Sequence, residues 1–421
     1  MLLLHLAGKS LTNRLLTTSL TALSIAFSVA LLVGVENVRT GMRESFSNTV
    51  SGTDLVVGSR GGTIQLMLYA VFGMGSPVAN ISHDTWQEWD EHPAVSWTIP
   101  YALGDSHRGF RVIGTNDSFY EHYKYRGGQP IALAEGRAAQ SVFDVVLGSQ
   151  VAERLGYVLG DRISVTHGMS AVGFMNHDEM PFEVVGVLEK TFTPVDRAIY
   201  VTLEGVTAIH MGWESGGPPM PGDEISAADV LAMEEVPVSQ ITSFFLGAES
   251  RAYTLQLQRD ISTSEDEPLT AVIPGVALSE MWRGIGYAED GLLVISGFVV
   301  LVGLLGMLVS IYTSLDARRR EMAILRALGA GPRRIVSLLV LEAGTLSIIG
   351  ALLGVAFVYV GLAAVQPWLE GQFGLQIPIQ ALDGMQLMYI GTVIALGFVA
   401  GLVPALKAYR TALHDGLSVR I

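Results

Sequence analysis

Four stretches of the chain are apolar, free of charge and long enough to cross a bilayer as helices, which takes about 20 apolar residues. They are "LLTTSLTALSIAFSVALLVGV" (Leu15–Val35), "GLLVISGFVVLVGLLGMLVSIYTSL" (Gly291–Leu315), "AGTLSIIGALLGVAFVYVGLAAV" (Ala343–Val365) and "MQLMYIGTVIALGFVAGLVPAL" (Met385–Leu406). Small residues recur one turn apart in the later spans, as Gly350 with Gly354 and Gly397 with Gly401. Such spacing either lets helices approach closely or reflects the ordinary glycine content of membrane helices.

Between the first two spans the pattern shortens to strand length. "TDLVVGSRGG" and "FRVIGTN" predict strands closed by glycine turns. "DVVLGSQVAERLGYVLGDRISVTHG" predicts a strand, a helix over Ser149–Leu155, a Gly-Asp turn and a strand. "PFEVVGVLEKT", "RAIYVTLEG", "ITSFFLGAE" and "LTAVIPG" add strands, and "SRAYTLQLQRDIST" has a helical period. The unbroken apolar run Leu66–Gly75, inside Gly62–Asn80, is too short to span. It is a core helix, a substrate-facing flap or a membrane-surface segment. Met211–Val236 is rich in Gly and Pro, then acidic, and predicts an insert or surface loop.

The fold class that follows is an α+β membrane protein. Four transmembrane helices carry a large extracytoplasmic α/β domain between helices 1 and 2. The predicted segments are an N-terminal stretch 1–14, spans 15–36, 291–315, 338–366 and 385–406, and a domain with stalk ends over 37–290. A loop 316–337, a short loop 367–384 and a C-terminal stretch 407–421 complete the chain.

Composition agrees with this picture. Half of the 421 residues are hydrophobic and 16% are charged, against about 25% in soluble domains. The formal charge of -14 is uneven: Val38–Asp290 holds 15 Lys+Arg and 33 Asp+Glu, and the rest 11 and 7. An acidic domain repels phosphate and argues against nucleic acid as a partner. There is no Cys, which excludes disulfides and thiol chemistry.

The short loops set the orientation, because basic residues stay on the cytoplasmic side. Arg318, Arg319, Arg320, Arg326, Arg333 and Arg334 lie between spans two and three, whereas 366–384 has no Lys or Arg. Lys9 and Arg14 precede span one, and Lys407, Arg410 and Arg420 follow span four. Both termini and the arginine loop are therefore expected in the cytoplasm, with the large domain periplasmic. Leu15–Val35 is longer than a signal-peptide core of about 7–15 residues, and "GVENVRTGM" offers no A-x-A-like site, so an uncleaved anchor is expected.

Candidate chemistry is sparse. Gly8-Lys9-Ser10 ends like a phosphate-binding loop, but the glycine such a loop needs five residues earlier is Leu3. His167, His177 and Asp178 lie close together and are weak candidates for a zinc site, or else part of a solvated hairpin loop. No nucleophile–base motif points to an enzyme. None of the four apolar spans holds an ionisable residue of the kind an ion-coupled carrier uses. Glu342 sits at the cytoplasmic start of span three, where it reads as an interfacial carboxylate that pairs with Arg333, Arg334 or another helix.

"RRREMAILRALGAGPRRI" (Arg318–Ile335) is less ordinary. Laid on a helix, Met322, Ile324, Leu325 and Leu328 form an apolar stripe, with Arg319, Arg320 and Arg326 falling away from it and Glu321 beside it. Glu321 can pair with Arg318 one turn back. Gly329-Ala330-Gly331-Pro332 ends that helix and starts another. A basic loop on anionic lipid explains the arginines; the stripe and the rigid turn suit a docked partner.

This segment strongly resembles the signature of FtsX-like, macrolide-exporter-type ABC permeases, to which lipoprotein-releasing permeases are related. Arg318, Arg319, Glu321, Ala323, Ile324, Leu325, Arg326, Ala327, Leu328, Gly329 and Ala330 match it, and Met322 replaces an isoleucine. "DVVLGSQVAERLGYVLGD" and "PFEVVGVLEKTFTPVDRAIYV" resemble the family's external domain. The resemblance implies a bacterial inner-membrane permease, not itself an enzyme, whose loop residues Arg318–Gly329 contact a separate ABC ATPase. ATP and Mg would bind that subunit, with no cofactor in this chain. It further implies a second permease copy, identical or not, a periplasmic carrier or adaptor, and export or extraction of substrate by mechanotransmission. Two alternatives stand beside it. One is an anchor that regulates an external partner such as a cell-wall hydrolase; the other is a component of a zinc-linked ABC system.

Overall fold

The computed structural model describes residues 8–9, 12, 14–167, 179–212, 225–317, 324, 327, 330–373 and 377–415. The chain forms two compact units. One comprises Met1–Gly41, Ile285–Pro367 and Ile377–Ile421; the other comprises Met42–Gly284 and Trp368–Gln376.

The first unit is a helical bundle. Four helices among the described residues are long and apolar enough to cross a membrane. They are α1 (Leu15–Ser47), α9 (Pro274–Ala317), α10 (Pro332–Phe373) and α11 (Gly384–Asp415). Each exceeds its uncharged stretch, because the helical backbone runs on into charged sequence. Arg39 pairs with Glu36 at 2.7 Å one turn back on α1, and lies 3.9 Å from Glu289 on α9. The bundle core is made by Ile25, Val29 and Val33 of α1, Leu304 and Met307 of α9, Leu339, Ala343 and Leu346 of α10, and Val393 of α11.

Apolar faces gain little from meeting each other in lipid, so helices there associate through close packing and interhelical hydrogen bonds. Both are present. Thr21 Oγ1 donates to Ser310 Oγ at 3.1 Å, and Ser28 Oγ to the Val299 carbonyl at 3.1 Å. Gly350 and Gly354 lie against α1, and Gly397 and Gly401 against Ser347 and Ala343 of α10. The glycine spacing is therefore a packing device. Asp383 caps α11: its Oδ1 accepts from Gln386 N at 2.6 Å while Gln386 Oε1 accepts from Asp383 N at 3.2 Å.

The second unit is built on one mixed sheet. Its strands are β1 (Leu55–Ser59), β2 (Val95–His107), β3 (Phe110–Thr115), β4 (Leu133–Gly136), β5 (Asp144–Leu147), β6 (Arg162–Ile163), β7 (Thr166–His167), β8 (Phe182–Leu188), β9 (Ala198–Thr202), β10 (Ser243–Ala248) and β11 (Leu269–Val272). The order is β11-β1-β10-β2-β3-β9-β5-β8-β4, with β7 on β2 and β6 on β8. β3 with β9 and β5 with β8 run parallel, and the other pairs are antiparallel. β2 joins the halves: Val95–Tyr101 pairs with β10 and Ala102–His107 with β3. The β2–β3 turn is Arg108-Gly109, both at positive φ (+49° and +84°), the backbone a two-residue hairpin requires.

Period-two alternation divides these strands between two faces. Val56, Ile99, Tyr101, Leu103, Ile113, Val146, Tyr200 and Phe245 face one continuous core. On the opposite side two cores form: Leu55, Val57, Phe244 and Leu246 on one half, and Val112, Val145, Leu147, Ile199 and Val201 on the other. Helices α3 (His83–Asp90) and α8 (Thr254–Ser262) cover the first of these. Helices α5 (Ser149–Leu155), α6 (Leu203–His210) and α7 (Ala227–Leu231) lie at the second. On the continuous face, Leu66, Met67, Tyr69 and Ala70 of α2 (Thr63–Ala70) are buried. Of the three readings of Gly62–Asn80, the core helix is the one found. Between α4 (Ser118–His122) and β4, residues 124–130 form a short hairpin.

The continuous core also takes in the ends of the long helices that belong to this unit. Ala277 and Leu278 are buried in it, with Phe46, Met281 and Trp282 packed against it. Phe46 meets Phe72 at 4.6 Å and Trp282 edge-on at 5.7 Å between ring centroids, and the Arg43 guanidinium lies over Trp282. Of the Met211–Val236 stretch, 213–224 lies outside the described residues. The rest includes α7, opened by a Ser226/Asp229 capping box, with Val230 and Val236 buried.

Candidate functional site

The arginine-rich loop joins α9 to α10. Arg318, Arg319, Glu321, Met322, Ala323, Leu325, Arg326, Leu328 and Gly329 lie outside the described residues. Ile324 and Ala327 are described, and both are helical and exposed, Ile324 at 54%. Pro332 opens α10 at the position where its missing N–H costs nothing, and Arg334 N donates to Gly331 O at 2.9 Å. One turn further in, Ile335 and Leu339 are buried in the bundle core, as is Ile311 at the other end of the loop. Both ends of the loop are thus held by buried apolar residues, while Arg333 and Arg334 face outward. Glu342 is buried in α10.

In the extracytoplasmic unit, His177 and Asp178 lie outside the described residues. His167 ends β7 at the register position opposite Asp105 of β2. Asp105 stands where β2 and β3 lose register, between Leu103 and Ser106, and its side chain is almost fully buried. Its carboxylate Oδ2 lies 3.4 Å from His210 Nε2 at the end of α6, and the other ring nitrogen of His210 is 2.6 Å from the Val206 carbonyl. Burial works against the imidazolium here, but Asp105 and the Val206 carbonyl outweigh it and hold the His210 pKa above the ordinary value. His107, two residues on, goes the other way. Burial pushes its pKa down, Arg108 adds to that, and the Ser164 carbonyl opposes it. Its ring nitrogens lie 2.6 Å from Ser164 O and 2.9 Å from Tyr157 OH. Among the described residues no three His, Cys, Asp or Glu side chains are grouped to hold a metal ion.

Two further sites escaped the sequence pattern. In "TFTPVD" the buried Asp196 accepts from Thr191 N at 2.8 Å, Thr191 Oγ1 at 2.7 Å and Phe192 N at 2.7 Å. Phe192 is held at φ +55°. The Thr-x-Thr-Pro-x-Asp order was the only available signal. In the second, Gln150, Arg154 and Lys190 contact residues 370–371 of α10, far away in sequence.

The architecture defines a class: a multi-pass membrane protein with a large extracytoplasmic mixed α/β domain between its first and second spans. Two family descriptions match without overlap and together account for most of the chain. "MacB-like periplasmic core domain" matches residues 18–218, and "FtsX-like permease C-terminal" matches residues 293–413. The chain belongs to the MacB/FtsX-like ABC-type transporter permeases, a family of membrane subunits that are generally not enzymes themselves. Among solved structures it is similar to the extracellular domain of the noncanonic ABC-type transporter YknZ from Gram-positive bacteria. That likeness has 12% identity and a TM-score of 0.29, and covers 52% of this chain and 98% of the other. No curated protein matches the chain in sequence.

Proposed function

We propose that the chain is the membrane subunit of an ATP-driven complex that exports or extracts a substrate by moving its extracytoplasmic unit. A separate ABC ATPase, which binds ATP and Mg, docks on Arg318–Gly329 at the cytoplasmic face, with Glu321, Met322, Ala323, Leu325, Arg326 and Leu328 as its contact. A second permease copy completes the membrane part, in a bacterial inner membrane with both termini cytoplasmic, and a periplasmic carrier or adaptor meets the external domain.

The observation that carries this reading is the continuity of α9. It is one helix of 44 residues, roughly 65 Å of hydrogen-bonded backbone. It begins at Pro274, beside the buried Ala277 and Leu278 of the extracytoplasmic core, and ends at Ala317, directly before the loop. An exposed Ile324, between buried anchors at Ile311 and Ile335, leaves an apolar side chain available to a partner. Nucleotide binding in the partner then shifts the population of helix positions, and the helix carries that shift outward.

The test is affinity capture of the detergent-solubilised chain from its native membrane, with a Glu321→Lys/Leu325→Asp variant in parallel. Recovery of an ATPase by the natural chain, and loss of stimulated ATP hydrolysis in a variant that still inserts, is the expected result. Capture of no ATPase would sink the reading. Unchanged hydrolysis in the variant would remove the loop from the contact. An ATPase recovered with a cell-wall hydrolase, and with no substrate moved, would favour the regulatory alternative.

A further inference from the structure

The last turn of α10 does not belong to the bundle. The unit boundary falls at Pro367, and Trp368–Gln376 is part of the extracytoplasmic unit. Proline inside a helix removes one backbone hydrogen bond and crowds the preceding turn, so α10 has a natural bending point where it changes units.

What holds the turn beyond it is specific. The last carbonyls of a helix lack partners within the helix. Here Gln150 Nε2 donates to the carbonyl of Glu370, and Arg154 Nη1 donates to that of Gly371 at 2.7 Å. Gln150 and Arg154 stand one turn apart on the same face of α5. The Arg154 guanidinium is also seated over the Phe110 ring, 5.7 Å from its centre. From the segment after β8, Lys190 Nζ reaches Glu370 Oε2 at 3.3 Å while lying over Phe192. Two cations at a helix C-terminus also complement its negative end. Three donors from two separate segments therefore converge on two consecutive residues.

We infer that Gln150, Arg154 and Lys190 are positioning residues that clamp the end of α10 to the extracytoplasmic unit. Through them α10 moves that unit together with α1 and α9. Two of its three contacts are made to the backbone of α10, so they do not depend on which side chains stand there. The functional part of this inference rests on the coupling role proposed above; the existence of the clamp does not.

The chain has no Cys, so a Gln150→Cys/Gly371→Cys variant can form only the intended bond within one copy. With a protease site inserted between Glu234 and Glu235, the oxidised full-length protein in membranes should give two fragments that separate only after reduction. ATP hydrolysis by the co-purified complex should be at least as high oxidised as reduced, because the disulfide replaces the contact that Gln150 made. An Arg154→Ala/Lys190→Ala variant should lose stimulated hydrolysis several-fold at an unchanged unfolding midpoint, and Arg154→Lys, still a donor, should recover it. Fragments that never join would overturn the clamp. A several-fold loss on cross-linking would overturn its permanence, and full coupling in the double-alanine variant would overturn its role. If the natural chain captures no ATPase, the coupling reading fails while the cross-link still decides whether the clamp exists.

Discussion

Gly350 on α10 faces Ile25 on α1 so closely that a methyl group at the glycine would lie 2.7 Å from Ile25 Cβ and 3.0 Å from the Ala22 carbonyl oxygen. One turn on, a methyl at Gly354 would lie 2.6 Å from the Ala26 carbonyl oxygen and 2.8 Å from Val29 Cβ. Backbone atoms cannot move aside as a flexible side chain can, so Gly350→Leu or Gly354→Leu must push the helices apart. The expected loss is about 1–3 kcal/mol for each. Gly361 and Gly391 have nothing within 4 Å; alanine there should be neutral or stabilising by about 0.5–1 kcal/mol. Thermal unfolding in detergent separates the two pairs. Equal midpoints for all four variants would mean that the contact is not made.

The two histidines near Asp105 should give opposite pH dependences. His210 has its pKa raised, so its pairing contributes fully below the ordinary imidazole value of about 6.5 and is lost as pH rises through the folded value. His107 has its pKa lowered. Its contribution is present above about 6.5 and is lost as pH falls through its folded value. His210→Gln should therefore lower the unfolding midpoint more at about pH 5.5 than at about pH 8.5. His107→Gln should do the reverse. A pH-independent loss in both would show that neither ring titrates differently in the folded unit.

The loop held by Asp196 makes an ordering testable. Asp196→Ala strips the Thr191 and Phe192 amides of their acceptor inside the unit and should cost about 1–3 kcal/mol. Phe192 pays for its positive φ but stacks under Arg126 and Lys190, at 5.0 and 4.8 Å from the ring centre. Phe192→Ala loses the stacking and keeps the strain. Phe192→Gly loses both and should be more stable than the alanine variant by about 1 kcal/mol. Denaturant unfolding of the full chain measures the series. Alanine at least as stable as glycine would contradict the strained geometry.

The spans and strands could be read in the sequence because both leave strong patterns: uncharged runs of about 20 residues and alternating short runs between glycine turns. The ends of the long helices could not. Glu36, Arg39, Arg43, Glu280, Arg283 and Glu289 break the apolar pattern although the backbone stays helical through them. Of the stripe expected of the loop, Ile324 alone is among the described residues, and it is exposed. Asp105 with His210, and Arg154 with Gly371, lie far apart along the chain. Only the register of β2 and the placement of α5 bring them together, and neither leaves a local motif. The spacing of His167 and His177 carries no signal for Asp105, which faces His167 only through the β2–β7 pairing.

Asp144 opens β5, the strand that leads directly into α5, and its interactions decide how firmly that helix is mounted. Arg137 grips both carboxylate oxygens, at 2.5 Å to Oδ2 and 3.1 Å to Oδ1, while Gln140 N and Ser141 N donate to Oδ2 at 2.9 and 2.8 Å. Burial alone would raise this carboxyl's pKa, but Arg137 and the two amides outweigh it and hold the value below the ordinary range. A depressed acid contributes stability that is present above about pH 3.9 and is lost as pH falls through the folded value. Arg137→Gln should therefore cost about 1 kcal/mol near neutral pH, a hydrogen bond to a charged group discounted for the half-exposed Arg137 side chain. That cost should shrink as Asp144 takes up its proton. Unfolding midpoints of the variant and the natural chain at about pH 7 and about pH 3 give the comparison. A deficit of the same size at both values would mean that Arg137 acts through packing, and that the charge of Asp144 does not secure the β5–α5 mount.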